Sequence, residues 1–217
     1  MTGDIPSGDT PSSDISSSDT PSGDILDLGP QARLVARLAE RATDEQLAAP
    51  TPCPDYAVRH LLGHLVGLAQ AFEQAARKEF GPGLDTAPDS FLPDVGPGWR
   101  DELPRALDAL AGAWRDPAAW QGMTRAGGVD LPGEVAGLVA LDELVVHGWD
   151  LARATGQEYG PDEASLEAAW ALLTPTGDGG EGPDGLFGKP VPVPEEAPLL
   201  DRVIGLSGRD PGWRPAA

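Results

Sequence analysis

The sequence predicts an all-α fold, a four-helix bundle followed by an irregular Pro/Gly-rich C-terminal tail. Three observations carry that expectation. Apolar residues recur at helical spacing in four long runs, no stretch alternates convincingly at the period of a strand, and glycine and proline concentrate in residues 81–98 and beyond Thr174.

Taken in order, residues 1–27 read as a disordered acidic tail: five-residue units (TGDIP SGDTP SSDIS SSDTP SGDIL) repeat Asp at every fifth position without Lys or Arg. Pro6, Pro11, Pro21 and the serines prevent such units from stacking into a dry core. The domain itself is expected to span 28–217. Leu34, Val35, Leu38 and Ala39 give a first helix from Gln31 to about Thr43. Pro50, Pro52 and Pro54 delay the second helix until Asp55, a candidate N-cap, and Val58, Leu61, Leu62, Leu65, Ala69 and Phe72 then make its core stripe from about Tyr56 to Phe80. A third helix is expected over Trp99–Trp114 with Pro104 in its first turn, and residues 117–131 look irregular or weakly extended. Leu131–Thr155 is apolar almost all round, so it should be the central helix, ended by Gly156. Shorter helical stretches are expected over Asp162–Leu173 and Leu199–Leu206, with VPVPEEAP extended between them.

The central run contains ALDELVVHGWDLARATG. Glu143 and His147 are four residues apart, so a helix puts both on one face, one turn from each other. The chain has three histidines, and the other two, His60 and His64, fall together on the second helix. An E-x-x-x-H pair opposite a histidine on a neighbouring helix is a plan for a divalent metal in a bundle core, with His64, Glu143 and His147 as ligands. Three protein ligands leave a position open for exchange or chemistry. Zinc is the default ion, and nickel, iron or manganese suit the same donors. The competing reading is an ordinary i, i+4 ion pair beside hydrogen-bonded core histidines. His60, one turn before His64, has three readings, a fourth ligand, an outer partner of the ligands or an exposed residue near the helix start, of which the last two are favoured; Asp150 reads as a carboxylate that orients an imidazole from behind.

Composition excludes several classes. A formal charge of −20 disfavours nucleic acid and anionic membrane as partners. No apolar run of transmembrane length and no basic, hydrophobic leader is present, which predicts a soluble cytoplasmic protein, monomer or homodimer. The single cysteine, Cys53, permits no internal disulfide and lacks basic sequence neighbours, so it reads as structural. Arg59, Arg125, Arg153 and Arg202 are candidates for an anionic substrate, with structural ion pairs as the alternative. No HExxH, GxSxG, P-loop or GxGxxG pattern occurs.

TPCPDYAVRHLLGHLVG, ALDELVVHGWDLARATG and FGKPVPVPEEAPLLDRVIGLSGRDPGW together resemble the DinB-like superfamily, in the branch similar to the N-terminal domain of mycothiol-dependent maleylpyruvate isomerase and in its stand-alone metal-binding form. The resemblance implies a DinB-like four-helix bundle holding a divalent metal, usually zinc, on His64, Glu143 and His147. Tyr56 stands where related sequences commonly carry Trp, and His60 where they commonly carry Asp. It further implies a metal-dependent S-transferase or isomerase that uses a mycothiol-like thiol on an electrophilic small molecule. A non-catalytic metal-binding sensor or scaffold is the alternative.

Overall fold

The four long apolar runs become α1 (Gly29–Arg41), α2 (Val58–Arg77), α3 (Trp99–Ala113) and α4 (Gly133–Thr155). They are seen in a computed structural model that describes residues 25–81, 84, 92–174 and 188–215. The expected disorder of residues 1–27 falls almost wholly outside these described residues. α1 and α2 each pack on both α3 and α4, so the four helices form a bundle whose cyclic order is α1, α3, α2, α4. α4 is buried on nearly every face from Ala136 to Thr155, which explains why its sequence lacks a polar stripe. Two shorter helices, α5 (Glu163–Leu173) and α6 (Leu199–Leu206), complete the described α-helices, α5 lying on α4 and α6 on α5. None of the described helices is long and apolar enough to cross a membrane.

Three local expectations are corrected. Asp55 does not cap α2: it sits at φ 68° in a turn, and the helix begins after Ala57, whose N–H is accepted by His60 Nδ1 at 3.2 Å. Pro104 lies inside α3, not in its first turn, which leaves the Arg100 carbonyl without its usual i+4 donor. Residues 117–131 are more regular than expected. After a short 3-10 turn, Met123–Ala126 (β1) and Val129–Pro132 (β2) pair antiparallel around Gly127 and Gly128, both at positive φ. Thr124 Oγ1 donates to the Ala75 carbonyl at 2.6 Å and ties this hairpin to the end of α2.

The segment before α3 crosses α2 at Gly63, next to His64. A Cβ on Gly63 would lie 2.6 Å from the Asp94 carbonyl carbon, so the crossing requires glycine. Gly63→Ala is expected to cost about 1–3 kcal/mol by displacing backbone. Gly67→Ala one turn on, with nothing within 4 Å, should be neutral or stabilising by up to about 1 kcal/mol. Urea unfolding midpoints of the two variants check the contrast.

Candidate metal centre

Helical spacing and helix packing build the centre together. The i, i+4 offset sets Glu143 and His147 on one face of α4, and the contact of α2 with α4 brings His64 to the same point. Glu143 Oε2 stands 3.1 Å from His147 Nε2 and 3.4 Å from His64 Nε2, while the two imidazoles meet edge to face with centroids 4.7 Å apart. One ligand atom from each of the three residues lies within 4.8 Å of the others. A tetrahedral ion with bonds of about 2.0–2.1 Å separates its ligands by about 3.3 Å. Both separations from the carboxylate oxygen match that edge, so the donor set fits a small divalent ion. The His147 side chain is 9% exposed, but those of His64 and Glu143 are 18% and 20% exposed, so the centre has one side toward solvent.

The surroundings fix each donor's charge and direction. Asp150, one turn beyond His147 and fully buried, places Oδ2 3.0 Å from His147 Nδ1. That contact leaves Nε2 to face Glu143, the arrangement in which a carboxylate orients a ligating imidazole from behind. Burial pulls the His147 pKa down, but the hydrogen bonds and charges of Asp150 and Glu143 outweigh it and raise the group to about 9. Burial would likewise push Glu143 up, yet hydrogen bonds from His147 and His64 and their charges hold it well below the usual carboxylate range. Tyr56 stands edge-on to His64 at 5.8 Å between centroids and packs against that imidazole.

His60 is not exposed, contrary to one sequence expectation. It is buried, its Nδ1 turned back to Ala57 and its Nε2 3.0 Å from Arg59 Nε, and its ring meets that of Tyr56 edge to face at 6.4 Å between centroids. The four candidate arginines have other partners: Arg59 pairs with Asp94 and Arg125 with Asp130, while Arg153 lies over Trp149 and Arg202 over Trp170.

Two residues that the sequence did not place at the site do reach it, Arg209 and the cysteine expected to be structural. Arg209, from the turn after α6, donates through Nη2 to Asp150 Oδ2 at 3.3 Å. Cys53 offers Sγ within 4.8 Å of ligand atoms of His147 and Asp150. Burial above all raises the Cys53 thiol to about 11, against the opposing charge of Arg209. This second triplet makes a poor cation site, because the Arg209 guanidinium already occupies the Asp150 oxygen. Asp142 is also fully buried, with neither carboxylate oxygen hydrogen-bonded among the described residues, and burial followed by the adjacent Glu143 charge raises its pKa well above normal.

Comparison with known proteins adds a lineage. Residues 28–152 match the family described as the mycothiol maleylpyruvate isomerase N-terminal domain. Uncharacterised proteins of two Mycobacterium tuberculosis strains are each 32% identical over 180 residues, 80% of this chain and 91% of the relative. Among solved structures, a crystal structure of the mycothiol-dependent maleylpyruvate isomerase aligns over 68% of each chain at 18% identity, with a TM-score of 0.48. A mutant of that enzyme aligns over the same share at 20% identity and a TM-score of 0.43. Sequence, not superposition, carries the relationship.

Proposed function

We propose that this chain, which belongs to the mycothiol maleylpyruvate isomerase N-terminal domain family, is a metal-dependent enzyme that uses a low-molecular-weight thiol of the mycothiol type on an electrophilic small molecule, by S-transfer or isomerisation. The observation that carries the reading is the convergence of two imidazole nitrogens on one carboxylate oxygen, at 3.1 and 3.4 Å. His64, Glu143 and His147 are the residues that would hold the ion, with zinc the first candidate and nickel, iron or manganese served by the same donors. When bound, a divalent ion supplies Lewis acidity at its open position, where it lowers the pKa of a thiol toward neutrality.

The chain's own residues set up the rest. Glu143 stays anionic across the physiological range and provides the only negative charge among the three donors. Asp150 accepts from His147 Nδ1 and so aims the opposite nitrogen at the centre. The solvent-facing side beside His64 and Glu143 admits the thiol and the electrophile, while Cys53, with its raised pKa, is a weak rival nucleophile. In this reading residues 28–217 are the working unit, and it acts in the cytoplasm, where such thiols are kept reduced.

The test is thiol-dependent consumption of monobromobimane or chlorodinitrobenzene with mycothiol. Turnover is expected in the wild type, to fall at least about a hundredfold in His64→Ala and His147→Ala, and to be unchanged when residues 1–25 are removed. Equal turnover in the histidine variants overturns the proposed mechanism. Metal bound stoichiometrically without turnover of any thiol would leave a non-catalytic binding module.

A further inference from the structure

We propose that Arg209 is a positioning residue: from the C-terminal hook it holds Asp150, and through Asp150 the ring of His147, in the orientation that metal binding requires. The inference rests on the metal reading above, but it concerns a residue far outside the segment, 28–152, that matches the family.

The hook has a defined local structure. α6 buries Val203 and Ile204 and ends at Ser207, after which Gly208 takes φ 86°. The Gly208 N–H then bonds to the Gly205 carbonyl at 3.1 Å and the Arg209 N–H to the Ile204 carbonyl at 3.1 Å, a glycine-dependent stop that fixes where the next side chain points. Gly208 also lies against Gly188, where a Cβ would come within 2.8 Å of backbone. Arg209 Nη1 donates to the Ser207 carbonyl at 3.1 Å, which leaves Nη2 directed at Asp150. The Arg209 side chain is 13% exposed, so its aim is set by packing rather than by solvent.

Asp150 depends on that aim. Its carboxylate is fully buried, and Oδ1 has no hydrogen-bond partner among the described residues. Oδ2 takes both contacts, His147 Nδ1 at 3.0 Å and Arg209 Nη2 at 3.3 Å. A carboxylate anchored by one oxygen rotates once its second partner is removed, and a buried one left with a single partner is also poorly compensated. Rotation would release the His147 ring, whose Nε2 faces Glu143 only while Nδ1 is held. The relay thus runs from a backbone stop at Gly208 to a ligand atom in the bundle core.

The test uses the full chain and cobalt(II), whose visible spectrum reports ligand geometry. Arg209→Met is expected to weaken cobalt binding about 10- to 100-fold and to alter the band pattern, the usual consequence of losing an outer partner of a ligating imidazole. Arg209→Lys, which keeps a charged donor, should recover affinity to within about threefold. In a cycle with Asp150→Asn, the double variant should bind no worse than the weaker single one, because both changes break one relay. Wild-type affinity and spectrum in Arg209→Met, or losses that multiply in the double variant, overturn the inference. If the wild type itself takes up no cobalt, the metal reading falls separately. The hydrogen-bonded Nδ1 proton of His147, followed by NMR in metal-free protein, then decides: retained in wild type and Arg209→Lys but lost to exchange in Arg209→Met supports the relay, and retained in all three refutes it. Should Arg209→Met not fold, Arg209→Gln takes its place in each comparison, with the same two outcomes.

Discussion

Glu143→Ala is expected to remove the metal almost completely, taking its content from about one equivalent to near zero on purification. Of the three donors only Glu143 carries negative charge, and both histidines contact the same carboxylate oxygen. A structural zinc site is worth about 10–16 kcal/mol over its ligands, so one ligand accounts for a few kcal/mol and its loss for a fall in affinity on the order of a thousandfold. Alanine also leaves the buried His147 with Asp150 as its sole counter-charge in direct contact among the described residues, so the metal-free variant should lose stability as well. Glu143→Gln separates the two effects: it keeps the shape and a hydrogen-bonding oxygen but not the charge, so it should spare more stability than it spares metal. His64→Ala, at the more exposed of the two histidines, should lose metal with a smaller stability cost, because His147 keeps both of its carboxylate contacts. Mass-spectrometric metal content, read beside thermal melts of the same preparations, checks all three. A full equivalent of metal retained in Glu143→Ala would show that the ion sits elsewhere.

Helical periodicity made most of this centre legible. Glu143 and His147 are fixed on one face by spacing alone, Asp150 follows one turn later, and His64 needed only the inference that its helix packs beside theirs. Arg209 and Cys53 were not legible for a different reason. Arg209 meets Asp150 across 59 residues of chain, through a hook whose direction is set by packing of α6 on α5 and by the stop at Gly208. No local pattern encodes that contact. Cys53 was judged by its sequence neighbours, whereas the cation beside it arrives from the opposite end of the chain. The hairpin was missed because four-residue strands with partly exposed faces carry too little alternation, and the adjacent Gly127 and Gly128 were its only clear signal. His60 was placed at the start of its helix correctly, but its burial follows from its turning back to cap that helix, a choice the sequence does not announce.

Metal affinity should climb steeply with pH, and the cause lies in His147. In the metal-free protein this histidine is raised from 6.5 to about 9 by its two carboxylate neighbours despite burial. An ion must displace its proton, so apparent affinity should rise about tenfold per pH unit below that value and flatten above it, on the order of a hundredfold between pH 6.5 and 8.5. The same shift sets the stability of the metal-free chain. A folded pKa above the unfolded one stabilises fully below pH 6.5, and that contribution is lost as pH rises through about 9. Glu143 has the opposite sign: its folded pKa is depressed below 4.5, so its contribution is present above that value and lost as pH falls through the depressed one. The metal-free protein should therefore be most stable between 4.5 and 6.5, with a Tm that drops on the order of 5–10 °C from there to pH 9. Zinc-loaded protein has already given up the His147 proton, so its melting temperature should not show that drop. Thermal melts with chelator and with zinc at half-unit steps from pH 5.5 to 9.5 would separate the curves. Two parallel curves would mean that zinc does not compete with the proton on His147. In Asp150→Asn the metal-free drop should be smaller and should end at lower pH, because the Asp150 hydrogen bond heads the influences that raise this imidazole against its burial.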